Sequence, residues 1–198
     1  MTLNPDNKTG FAGLNDNYKE ILDAIRQSGS TVNVKKGESV LNQGDHCRFV
    51  FFVEEGCFRT FRVTDGKETT LGFSFSGDID TCPYSFINRV PGFDTIAALR
   101  ESRIIKIHQS DIDAVTESYP ETGILTARLL SHYIEVLIQR LIDLKNENAY
   151  DLYLKLYQRQ PIEVSEIPLK YIASYLGISG ERLSRIRKEL KLNNKLIL

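Results

Sequence analysis

The change of hydrophobic period near residue 120 constrains this chain more than any other feature. Before it, from Thr31 to His108, short runs rich in Val, Phe and Thr are punctuated by glycines at 37, 44, 56, 66, 72 and 77. The runs Thr31–Val34, Phe49–Glu54, Cys57–Val63, Glu68–Phe75, Asp94–Ala98 and Arg103–Ile107 have the length of strands. Their spacing predicts a many-stranded antiparallel array, a β-roll or barrel. Asp65-Gly66 predicts a type I′ hairpin, since glycine tolerates the positive φ of that turn. After Tyr119-Pro120 the period becomes helical. Gly123, Ala127, Leu130, Ile134, Leu137, Leu141 and Leu144 recur at steps of four and three, a heptad seam.

A helix of about 25 residues spans nearly 40 Å, which is too long for one small sheet to cover. Ile124, Leu129, Tyr133, Val136 and Ile138 add apolar surface beside the seam, so the helix needs cover on two sides. One side is expected to rest on the β-array. The other is expected to meet the same helix of a second chain through Leu130, Ile134, Leu137, Leu141 and Leu144. The alternative is a core helix within a single chain.

Two further helical regions flank this core. Asn15 to Gln27 places Ile21, Leu22 and Ile25 on one face and ends at Ser28-Gly29. Glu147 to Gln158 forms another helix, stopped before Pro161. Then comes helix, tight turn, helix: Leu169–Leu176, Gly177 at the turn with Ile178 plugging it, Ser179 as cap, and Glu181–Lys191.

Charge singles out this last segment. The whole chain carries −1, yet residues 168–198 hold seven basic side chains and two acidic ones, a net of +5. A basic end on an acidic body suits a polyanion met by one end alone. In the second helix Leu183, Ile186 and Leu190 fall on one stripe at 100° per residue. Glu181, Ser184, Arg185, Lys188 and Lys191 fall opposite. Arg can donate twice to guanine, Glu can accept from cytosine, and Lys and Ser can hold phosphates, so this face suits a DNA major groove. The plain alternative is a solvated basic helix.

Composition and motifs exclude several classes. With 41% hydrophobic and 26% charged residues, the chain is neither disordered nor of low complexity. No run approaches a membrane span and MTLNPDNKTGF has no apolar leader, so a cytoplasmic protein is expected. Cys47, Cys57 and Cys82, without CxxC spacing, read as reduced packing thiols. An enzyme is not expected: there is no His-x-His, no Gly-x-Ser-x-Gly elbow and no phosphate loop, and His46 and His108 stand alone.

The stretch from Ile172 to Arg185, IASYLGISGERLSR, closely resembles the helix-turn-helix of the cyclic-AMP receptor protein and fumarate–nitrate regulator (Crp/Fnr) family. The upstream half resembles that family's cyclic-nucleotide-binding-like β-roll at Lys36-Gly37-Glu38, Gln43-Gly44-Asp45, Phe52-Val53-Glu54-Glu55-Gly56, Asp65-Gly66-Lys67-Glu68 and Ser76-Gly77-Asp78. The resemblance implies an α+β fold: an N-terminal β-roll sensor domain over 1–118, a dimerisation helix over 119–146 and a C-terminal winged helix-turn-helix over 147–198. It further implies a homodimeric, sequence-specific DNA-binding transcription regulator, with RNA polymerase as a further partner. Base-reading roles carry over to Glu181 and Arg185, with Ser184 positioning them. An Arg common before the Glu is Gly180 here, and a TTGA-like palindromic half-site is expected. Only Leu192–Leu198 remains for the wing. The competing function is a small-molecule sensor whose C-terminal domain binds a protein.

In the family's nucleotide-binding members, a Gly-Glu pair opens a short helix and an Arg-(Ser/Ala)-Ala segment follows. Here Gly77-Asp78 stands for the first, and Gly92-Phe93-Asp94-Thr95-Ile96-Ala97 lacks the Arg. Asp94 would bring negative charge towards a phosphate, so cyclic AMP is not expected. The candidate effector pocket is Gly77, Asp78, Arg89, Phe93, Asp94 and Thr95, for an unknown small molecule. An iron–sulfur cluster needs four thiolates, and the chain has three scattered cysteines. Haem would need His46, His108 or His132 without any supporting pattern. No metal or cofactor is expected.

Overall fold

The protein is described by a computed structural model over residues 11–193. Its elements run α1 Phe11–Gln27, β1 Ser30–Val34, β2 Ser39–Leu41, β3 Phe49–Glu55, β4 Cys57–Thr64, β5 Lys67–Phe75 and β6 Ile79–Asp80. Then follow α2 Pro83–Asn88, β7 Thr95–Ala98, β8 Ser102–His108, α3 Gln109–Ser118 and α4 Thr122–Asn146. The chain continues through α5 Ala149–Arg159, α6 Pro161–Glu166, α7 Leu169–Leu176 and α8 Gly180–Leu192.

The strands form two antiparallel sheets, ordered β1-β8-β3-β6 and β2-β7-β4-β5, wrapped into the expected β-roll. Alternation along β3 turns Phe51 and Val53 into the roll, where Phe58, Ile96 and Ile104 meet them. The outward residues Val50 and Phe52 are covered in turn by Ile21, Leu22 and Ile25 of α1 and Leu125 of α4. A third core joins Cys57, Phe73 and Phe75, from β4 and β5, to Tyr153, Val164, Ile172, Leu183 and Leu190 of the C-terminal helices. The C-terminal unit thus shares a core with the roll.

Asp65 and Gly66 both take positive φ, at 50° and 74°, and the β4–β5 hairpin closes on them as the turn chemistry predicts. Several features depart from expectation. α1 begins at Phe11, ahead of Asn15. The short β2 and β6, and helices α2, α3 and α6, have no counterpart in the sequence pattern; β2, β6, α2 and α6, of two to six residues, carry too few periodic positions. Gly77-Asp78 does not open a helix. It makes the β5–β6 turn, with Gly77 at φ 91° and the Asp78 carboxylate accepting the Phe75 N–H at 2.8 Å. The short helix α2 starts only at Pro83. The wing expected over Leu192–Leu198 lies largely outside the described residues, and Leu192 itself closes α8. No helix among the described residues is long and apolar enough to cross a membrane.

Candidate nucleic-acid interface

α7 and α8 form the helix-turn-helix that the sequence predicts. Ile172, Ala173 and Leu176 are buried, and the turn residue Gly177 takes the left-handed conformation, φ 69°, which a side chain would strain. Ile178 packs against the same core. The Ser179 hydroxyl accepts the Arg182 N–H at 3.2 Å and so caps α8. Leu183, Ile186 and Leu190 anchor the helix from below. That anchoring turns Glu181, Ser184, Arg185, Lys188 and Lys191 together onto the outer face, where all five are exposed. Glu181 lies in the first turn, where the helix dipole favours its charge. The resulting surface offers one acceptor carboxylate, one hydroxyl and three cations on a capped, well-anchored helix.

The opposite side of the unit faces the β-roll. β5 is an edge strand, and α7 covers it. The Ser174 hydroxyl accepts the Thr70 N–H at 2.9 Å and donates to the Glu68 carbonyl at 3.4 Å. Arg59 of β4 is only 3% exposed. Its guanidinium lies 4.2 Å from the Phe61 ring centroid and 3.9 Å from that of Tyr171, donates to Thr70 Oγ1 at 2.9 Å and pairs with Glu68 at 2.6 Å. Arg140 of α4 stacks 3.4 Å over Tyr175 and donates to its carbonyl at 2.5 Å. Burial pushes the Arg140 guanidinium below its usual range. Phe73 and Tyr175 add a ring contact at 5.3 Å, and Arg100 pairs with Glu166 at 2.9 Å. None of this seam is legible in the sequence; its partners lie up to 112 residues apart, as Arg59 and Tyr171 do.

The candidate effector side chains each meet a partner within the protein. Asp78 is held in its turn. Arg89 caps the end of α2, 71% exposed, with Asp113 at 3.8 Å. Asp94 accepts from Arg62 Nε at 2.8 Å, and Arg62 also lies 5.1 Å from the Phe93 ring. Phe93 leans on Tyr84, and Thr95 Oγ1 accepts the Gln43 N–H at 3.0 Å. A separate apolar cavity of about 180 Å³ lies between the roll and α4, and none of these six residues lines it.

The dimerisation residues divide. Ile134, Leu137, Leu141 and Leu144 are exposed along α4, whereas Leu130 is half-buried and lines that cavity. All three cysteines are free and buried. Burial pushes the Cys57 thiol up to about 12 and raises Cys82 as well, so neither favours a reactive thiolate. His46 bridges to Pro91 in a loop, His108 caps α3 and His132 sits on α4. No group of His, Cys, Asp and Glu among the described residues could hold a metal ion.

Residues 31–119 match the model of the cyclic nucleotide-binding domain. The chain is 26% identical over 195 residues to the transcriptional activator protein FnrA of Stutzerimonas stutzeri, covering 92% of this chain and 78% of that protein. It is 27% identical to the transcriptional activator protein anr of Pseudomonas aeruginosa, covering 87% of this chain and 74% of the relative. Among solved structures, FixK2 from Bradyrhizobium japonicum superposes with a TM-score of 0.72 at 14% identity, over 84% of this chain and 86% of the other. CLP of Xanthomonas campestris, described as a c-di-GMP responsive global regulator, gives 0.67 at 14% identity, over 89% and 93%. The two structural likenesses establish the shared fold from β-roll to helix-turn-helix.

Proposed function

We propose that this chain is a transcription regulator of the Crp/Fnr kind, a reading supported by its similarity to FnrA and anr, and that it reads a palindromic DNA site as a homodimer through the outer face of α8. The observation that carries this is the placement of Glu181, Ser184 and Arg185 side by side in water on a helix anchored by Leu183, Ile186 and Leu190. In this role Arg185 donates to a guanine edge, Glu181 accepts from a cytosine amino group and Ser184 holds their geometry. Lys188 and Lys191 take phosphates further along the helix.

The second half of the proposal is the dimer. Ile134, Leu137, Leu141 and Leu144 leave large apolar side chains in water on one helix, and Leu141 is 56% exposed. Pairing two copies of α4 would bury this surface and set two α8 helices to enter successive major grooves, about 34 Å apart. The domain division follows: 1–118 senses, 119–146 pairs and 147–198 binds DNA. No cyclic nucleotide is assigned to the sensor, because the Arg62 guanidinium beside Asp94 is already engaged and Gly77-Asp78 serves a tight turn.

Selection from random DNA followed by gel shift tests the proposal. A palindrome should emerge, and Arg185→Ala should weaken it by about 1–3 kcal/mol per half-site while relaxing the preference at one base pair. Unchanged affinity and specificity in Arg185→Ala would remove its base-reading role. A monomer by sedimentation at gel-shift concentrations would remove the dimer.

A further inference from the structure

We infer that the cavity between the β-roll and α4 is a binding site for one small, uncharged apolar molecule, either a single aromatic ring or a short alkyl chain. Its walls come from several elements: Leu22 of α1, Phe52 of β3, Phe86 of α2, and Leu125, Leu129 and Tyr133 of α4. Leu22 and Leu125 are almost wholly buried, so the space is let into the body of the protein. At about 180 Å³ it is somewhat larger than the dry apolar cavity of roughly 150 Å³ that admits benzene.

The chemistry of the lining selects the ligand's charge. Among the described residues, no Lys, Arg or His lines the cavity, and the one carboxylic acid in its wall is Asp80. The Asp80 carboxylate is already held by the Ser74 hydroxyl, by Thr60 Oγ1 at 3.4 Å and by the Thr81 N–H at 2.8 Å. An anion entering here would lose its hydration and meet negative charge without a compensating cation. Burial, with the charges of Asp80 and Asp94 nearby, pushes the Tyr133 phenol up to about 12. The phenol therefore remains a neutral hydrogen-bonding group at one end of an apolar space. Such a lining favours a neutral molecule with at most one hydroxyl.

The position gives occupancy a consequence. Leu129, Leu130 and Tyr133 bring the first half of α4 into the wall, while Ile134 and Leu137 continue the same helix into water. A ligand in the cavity would therefore clamp α4 to the roll just before its exposed seam begins. The binding site itself does not depend on the DNA-binding proposal, whereas this consequence for the dimer rests on it.

Fluorobenzene and 1-hexanol serve as neutral probes, with benzoate and hexanoate as anions of similar frame. In full-length protein, the neutral pair should raise the melting temperature saturably, and fluorobenzene should show exchange broadening by ¹⁹F NMR. The anions should bind at least tenfold more weakly. Leu129→Trp, which fills the cavity, should weaken fluorobenzene at least tenfold, while Arg185→Ala should leave it unchanged. If Leu129→Trp does not fold, Ile112→Phe fills the space from α3 and gives the same test. Absence of binding by both neutral probes, equal binding of the anions, or undiminished binding in the filled variant would overturn the inference. So would binding that appears only on dilution to monomers, since a second copy would then own the space. DNA binding is read separately by gel shift, so failure of one proposal is distinguishable from failure of the other.

Discussion

The two helices of the C-terminal pair meet positive charge in opposite conditions. α8 carries Arg185, Lys188 and Lys191 outward into water, whereas α7 lays Tyr171 and Tyr175 over guanidiniums that belong to the β-roll and the long helix. Arg59 and Arg140 carry the same guanidinium as Arg185, but aromatic faces and hydrogen-bond acceptors have already satisfied them. What makes a cation available to a polyanion is the lack of such company. The basic surface proposed to meet DNA and the fastening of its domain are thus opposite sides of one small unit.

The largest expected effect breaks the fastening. Arg59→Ala should destabilise the protein by about 2–4 kcal/mol in urea unfolding. It removes a desolvated cation from between two rings and leaves Thr70 Oγ1 without its donor. Arg59→Lys should fall between, keeping the charge but losing the planar fork. A loss below about 0.5 kcal/mol would mean that the seam contributes nothing to the fold. In the same measurement Arg185→Ala should change stability by no more than about 0.5 kcal/mol, because its side chain stands exposed. If Arg185→Ala proved the more destabilising of the two, the contrast between the faces would be reversed.

The same contrast separates what the sequence discloses from what it conceals. The helix-turn-helix was legible because its signals are local: a buried stripe at helical spacing, Gly177 at a positive φ and Ser179 as the cap. The heptad seam of α4 was legible for the same reason, although its pattern could not reveal that Leu130 turns towards a cavity while Ile134 stays in water. In β4 the four residues from Cys57 to Thr60 are all buried, since the roll covers one face and the C-terminal helices the other. Alternation disappears there, and nothing nearby announces that Arg59 is enclosed. Gly77-Asp78 misled because a Gly-Asp pair serves a tight turn as readily as a ligand cradle, and only the Phe75 N–H decides between them.

A smaller effect sharpens the seam. Ser174→Ala should cost about 1–2 kcal/mol, since the Thr70 N–H on the edge of β5 loses its acceptor. Ser174→Thr keeps the hydroxyl and should recover part of the loss. Recovery would tie the cost to that hydrogen bond. An equal loss in both variants would assign it to packing instead.

The smallest effect tests the outer face where it is least specific. Lys188 stands a turn beyond Ser184 on the exposed side of α8, where a flexible ammonium reaches a phosphate more readily than a base edge. Lys188→Ala should therefore weaken the selected palindrome and unrelated duplexes by the same factor. For each phosphate that no longer meets a cation, the slope of log affinity against log salt should become shallower by about one. Arg185→Ala should instead weaken the palindrome more than the unrelated duplex. Two variants on one helix face would then part by kind of effect: Lys188 changes how affinity depends on salt, and Arg185 changes which sequence is bound. If Lys188→Ala altered sequence preference with no change in salt dependence, the side chain would lie against a base edge, and α8 would sit in the groove rotated from the pose centred on Glu181 and Arg185.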